Sequence, residues 1–202
     1  MTDIRVIVGF GLNLIVLSLP LGAATCESLV SLKLTNTSIT AAQVVSAGAF
    51  LPPGQAPNPA ILELYKSLPA FCRVQGVMQP SSDSHIEFEV WLPASGWNDK
   101  YMGVGNGGFG GSIRYASLPG ANAPSLANAL LAGYATSSTD TGHRGDGTDA
   151  RWALGHPEKV VDYGYRAIHE TAERSKPIIH AFYGSGPKHS YFDSCSNGAE
   201  KG

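Results

Sequence analysis

The sequence predicts an α/β fold, and three observations lead there. Residues Ile86–Leu92 alternate apolar and polar, the period of a half-buried strand. Further short apolar runs alternate along the chain with helical patterns. The last of these runs opens directly into a tight turn of small residues. The chain has 202 residues, 43% hydrophobic and 15% charged, a composition that buries a core and is not that of a disordered chain. A net charge of −2 excludes a general nucleic-acid binder. The 24 Gly and 13 Pro, without a Gly-X-Y period, exclude collagen and predict many turns. Three cysteines leave one without a partner in the chain.

Each element follows in order. Val6–Leu19 is an apolar run behind Arg5, shorter than the roughly 18 residues that span a bilayer. Pro20 ends it, and small residues Gly22-Ala23-Ala24 follow. Residues 1–24 read as a secretory signal peptide, leaving 25–202 as the mature chain. Secretion admits disulfides and leaves no membrane attachment once the signal is cleaved. Residues 46–60, rich in Pro, Gly and Ala, read as an extended loop. After the Ile86–Leu92 strand, Tyr101–Gly105 is a second, leading into a loop with five glycines among residues 105–111. Ser125–Leu131 reads as a short helix with Pro124 near its start, and Tyr134–Thr139 as a strand. Pro157 opens a long amphipathic helix that Pro177 should kink or split and Gly184 should stop. Ser190–Asp193 is the last strand.

That strand runs into Ser194-Cys195-Ser196-Asn197-Gly198. The pattern small-x-Ser-x-Gly after a strand is that of a nucleophile elbow, where a sharp turn pushes a serine Oγ out of the backbone. An acyl-transfer serine also needs backbone N–H donors for the oxyanion. One comes from the residue after the nucleophile and one from a loop after an earlier strand. Asn197 and the Asn106-Gly107-Gly108 turn supply both in the expected order.

The motifs at Gly103–Phe109, Ala135–His143, Trp152–Leu154, Tyr163–Ala167, Phe182–Gly184, Ser190–Phe192 and Cys195–Gly198 together resemble the tannase and feruloyl esterase family, secreted α/β-hydrolases that cleave esters of phenolic acids. The resemblance implies an incomplete α/β-hydrolase core, with a mostly parallel sheet ending just after the elbow and the family's lid domain absent. It implies Ser196 as nucleophile and the N–H groups of Asn197 and of Gly107 or Gly108 as the oxyanion hole. It implies a Cys26–Cys72 disulfide, and for Cys195 a partner expected downstream and absent here. The implied substrates are small phenolic esters or plant cell-wall esters.

The family's catalytic Asp and His lie after the serine, as does the lid with its calcium. The chain is therefore expected to be an inactive fragment, with no cofactor in this portion. His85, His143, His156, His169, His180 and His189 all precede Ser196. Of these only His143 lies in a loop from which a site is within reach; His169 and His180 read as packing or surface residues. Asp140 reads as a brace for its loop. Asp146 and Asp149 lack the calcium-loop pattern, and no cluster has metal-ligand spacing. Phe109, Trp152, Tyr163 and Tyr165 read as core aromatics. The competing reading is a non-catalytic secreted binding protein that kept the same fold.

Overall fold

A computed structural model of the chain describes residues 23–54, 58–118, 121 and 123–201. The expected signal segment falls at residues 1–22 outside the described residues, apart from Ala23 and Ala24. Six strands form one mixed sheet: β1 (Thr37–Val45), β2 (Phe71–Met78), β3 (Ile86–Pro93), β4 (Lys100–Val104), β5 (Ala135–Thr139) and β6 (His189–Asp193), in the spatial order β1-β2-β3-β5-β4-β6. The sheet is not mostly parallel. β1–β2, β2–β3 and β3–β5 pair antiparallel, and only β4–β5 and β4–β6 pair parallel. The reason lies in the connections. Met78 and Ile86 are paired across a short turn, which returns the chain antiparallel, whereas β4 reaches β5 through a helix that lets it run the same way.

Helices cover both faces. On one, α4 (Ala167–Tyr183) packs Ile178 and Ile179 against Val74, Phe88, Val90 and Leu92. On the other, α1 (Pro59–Lys66) and α2 (Leu126–Leu131) enclose Phe71 and Trp91 with Phe50, Tyr65 and Leu68. Alternate residues of β2 and β3 feed the two cores, as a pleated strand requires. The helix starts follow local chemistry. Asn58 accepts a hydrogen bond from the Ile61 N–H at 2.9 Å, with Pro59 in the first turn, and Ser125 accepts from Asn128 N–H at 3.2 Å.

The long helical pattern differs from expectation in where it breaks. The helix α3 (Pro157–Val161) passes into a π-turn at Asp162–Arg166 and then into α4, which runs through Pro177 without splitting. Packing of Ile178 and Ile179 in the core holds the turn that Pro177 deprives of one hydrogen bond. Gly184 stops the helix in the left-handed conformation at φ 75°, its N–H bonded to His180 C=O at 2.9 Å. Cys26 and Cys72 form a disulfide with Cα atoms 5.6 Å apart, both buried.

Candidate active site

The site sits where two parallel neighbours end. The β4–β6 ladder runs from Lys100↔His189 to Val104↔Asp193 and continues as Gly105 N–H donating to Asp193 C=O at 3.0 Å. The loops after both strands therefore leave the same end of the sheet side by side. After β6 the chain turns sharply: Ser196 adopts φ 58°, a left-handed conformation that few non-glycine residues take. Such strain persists only where its surroundings enforce it, and it clusters at functional sites. Ser196 is exposed and opens a short 3₁₀ turn, Ser196–Lys201. Gly198 has to be glycine, because a Cβ there would overlap the Asn106 carbonyl oxygen and Ser194 Oγ. Ser194, which stands where the elbow more often has glycine, fits because Gly198 leaves it room.

The expected oxyanion donors lie next to that turn. A Cβ built on Gly107 would come 3.7 Å from the Ser196 Cβ. Among the described residues, neither the Gly107 nor the Gly108 N–H donates to a protein acceptor. Asn106 anchors the loop from below: its side-chain amide donates to the carbonyls of Ser112 and Thr139, at 3.1 and 3.2 Å. Gly108 takes φ 57°, and a Cβ on it would overlap the Gly147 carbonyl oxygen, so the loop closes only on glycine. Cys195 is exposed and has no disulfide partner among the described residues.

The loop after β5 stands behind the glycines. Asp140 is buried and its Oδ1 accepts from Glu87 N–H at 3.0 Å and Gly142 N–H at 2.8 Å, so it braces the loop as expected. Its Oδ2 is buried with no partner among the described residues. Burial raises the Asp140 carboxyl to about 8, against the opposing pull of the Gly142 N–H bond. His143 is buried with its ring stacked on Trp152, centroids 3.9 Å apart. Of the other histidines, His169, His180 and His189 are exposed, and His156 bonds Asp83 at 2.8 Å.

The aromatics expected in the core divide. Phe109, Trp152 and Tyr163 are half-buried and cluster with His143, Trp152 and Tyr163 being 5.2 Å apart, whereas Tyr165 is exposed. Sequence reading missed the role of Tyr163. Its hydroxyl donates to the Gly108 carbonyl at 2.9 Å, a link made possible by a π-turn that carries no sequence signature. A groove lined by Tyr101, Ile168, Ala172 and Phe192 opens between α4 and the β4–β6 edge, but Ser196 does not line it. Asp146 accepts from the Thr148 N–H and hydroxyl, and Asp149 pairs with Arg151 at 2.6 Å. Among the described residues no group of three or more His, Cys, Asp or Glu is placed to hold a metal ion.

Residues 72–202 match the family model described as tannase and feruloyl esterase. The chain is 45% identical over 176 residues to an uncharacterized esterase of Xanthomonas campestris pv. campestris, covering 87% of this chain and 28% of that protein. It is 33% identical over 184 residues to a probable feruloyl esterase B-1 of Aspergillus oryzae, covering 89% of this chain and 32% of that protein. The crystal structure of feruloyl esterase B from Aspergillus oryzae superposes with a TM-score of 0.73 at 31% identity, over 88% of this chain and 32% of that one. The chain thus spans about a third of the length of these relatives. The match over residues 72–202 establishes that this chain belongs to the tannase and feruloyl esterase family.

Proposed function

We propose that the chain carries the nucleophile and oxyanion donors of a serine carboxylesterase acting on esters of phenolic acids, of feruloyl or tannic type. The observation that carries the reading is Ser196, exposed and left-handed at φ 58° at the end of β6, with the glycine turn after β4 against it. In this reading Ser196 Oγ attacks the ester carbonyl carbon while its proton passes to a base. The carbonyl oxygen, now negative, is held by the N–H groups of Asn197 and of Gly107 or Gly108. Collapse expels the alcohol, which takes up the proton, and water then releases the acid from acyl-Ser196 by the same route. The route needs no cofactor from these residues. Names of relatives as feruloyl esterases support a phenolic acyl group.

In this reading the base and its acid partner come from outside residues 1–202, which span about a third of the relatives' length. We also read the protein as secreted, which the buried Cys26–Cys72 disulfide supports. Among the described residues no helix is long and apolar enough to cross a membrane.

The test is hydrolysis of methyl ferulate by the complete polypeptide that carries this chain, by its Ser196→Ala variant, and by residues 1–202 alone. Turnover is expected only from the first, with Ser196→Ala slower by roughly 10⁴–10⁶-fold. Undiminished turnover in Ser196→Ala would contradict the nucleophile, and full turnover by residues 1–202 would contradict an external base.

A further inference from the structure

We infer that Tyr163 is a positioning residue for the oxyanion donors: its hydroxyl and the Gly147 carbonyl clamp the Gly108–Phe109 peptide and so fix the direction of the N–H groups beside Ser196. The inference rests on the reading of Ser196 as nucleophile. Oxyanion donors work because they already point at the place where charge develops. A turn with five glycines among residues 105–111 is by itself the least suitable segment to hold them still, since glycine restricts the backbone least.

The structure shows what holds it. The Gly108 carbonyl accepts the Tyr163 hydroxyl at 2.9 Å, and the N–H at the other end of the same peptide, that of Phe109, donates to Gly147 C=O at 2.7 Å. The preceding peptide is held as well, its Gly107 carbonyl accepting Gly110 N–H at 3.1 Å. A trans peptide is planar, so a fixed carbonyl fixes the opposed N–H, here that of Gly108. Two successive planes anchored on either side of the Gly108 Cα leave it no freedom.

Tyr163 reaches this peptide from the π-turn. There Asp162 is fully buried and paired with Arg166 at 3.1 Å, and Arg166 also grips Glu158 at 2.8 Å. A Cβ on Gly142 would lie 2.8 Å from the Asp162 Cβ, so the π-turn presses on the β5 loop at the same time as it touches the glycine turn. Local widening of a helix of this kind is frequent at functional sites. Trp152 and Phe109 flank the Tyr163 ring at 5.2 and 6.0 Å and set its plane.

Tyr163→Phe keeps the ring and deletes only the hydroxyl. In the complete polypeptide carrying this chain, kcat for methyl ferulate is expected to fall roughly tenfold to a hundredfold with KM within about twofold. Amide hydrogen exchange at Phe109 is expected to speed up by about tenfold or more, while β2 and β3 amides keep their rates. In the unaltered protein Phe109 N–H is expected to be protected and Gly107 and Gly108 N–H not, a measurement that needs no variant. Unchanged kcat and Phe109 exchange in Tyr163→Phe would overturn the inference, as would equal, fast exchange at all three amides in the unaltered protein. Faster exchange spread through β2 and β3 would assign Tyr163 to general packing and overturn it too. If Ser196→Ala keeps full turnover, the nucleophile reading fails, and the exchange data still decide the clamp.

Discussion

The β2–β3 pair and the β4–β6 pair belong to one sheet and are made of different materials. Between β2 and β3, Phe71, Phe88 and Trp91 are buried to 1% exposure or less. Arg73 and Glu89 pair there at 2.5 Å, and Glu89 also accepts from Trp91 at 2.9 Å and Tyr115 at 2.8 Å. Between β4 and β6 the chain has Gly103 and Gly105, and every residue of β6 is exposed. One pair is anchored by burial and a satisfied ionic network. The other is held by ladder hydrogen bonds and by loops that close only on small residues. The difference separates the packed side of the sheet from the side that holds Ser196: a strained, exposed serine is tolerable at an edge because the opposite side of the sheet supplies the stability.

If that division holds, the largest loss of stability comes from the anchored side. Glu89→Ala leaves Arg73 buried without its partner and should cost about 3–5 kcal/mol in chemical denaturation. A loss below about 1 kcal/mol would move the anchor elsewhere. Cys72→Ser opens a loop with a sequence separation of 46 and should cost up to about 4 kcal/mol by chain entropy, with reduction of the unaltered protein matching it. On the edge side, Gly198→Ala should cost about 1–3 kcal/mol through overpacking against Asn106 and Ser194. In the complete polypeptide that carries this chain, its turnover should fall far more than its stability. Equal, small effects on both would mean the elbow has room that the contacts deny.

The remaining effect is a slope. Burial raises Asp140 to about 8, while in the unfolded chain it titrates near 3.8. Between those values the native chain holds a proton that the unfolded chain has released. Stability therefore falls as pH rises through this window and levels off above it. Asp140→Asn retains the acceptor for Glu87 and Gly142 N–H and should flatten that slope in thermal melts from pH 4 to 8. An unchanged slope would assign the pH dependence to another group.

Some of this was legible in the residues. The sharp turn at Ser196 could be read because it demands small neighbours at fixed offsets, and the glycine turn because its spacing after a strand is equally constrained. β2 could not, since Phe71–Met78 contains Arg73, Gln75 and Gly76 where a buried strand would show apolar residues. Arg73 is buried because Glu89 neutralises it from 16 residues away, a pairing no local pattern carries. β1 has only Ile39 buried, too little for a periodic signal. The mostly parallel sheet expected from the family gives way to a mixed one, because the antiparallel run begins with β1 and β2, whose residues carry no readable pattern. Pro177 was read from a local rule that the packing of Ile178 and Ile179 overrides. The π-turn placing Tyr163 on Gly108 has no sequence mark at all.

The proposed nucleophile is Ser196, held left-handed at φ 58° at the end of β6. Its most direct test is labelling of the complete polypeptide carrying this chain with a fluorophosphonate, followed by peptide mapping. One adduct is predicted, on Ser196, and none in Ser196→Ala. An adduct on another residue, or labelling that survives Ser196→Ala, would contradict the account.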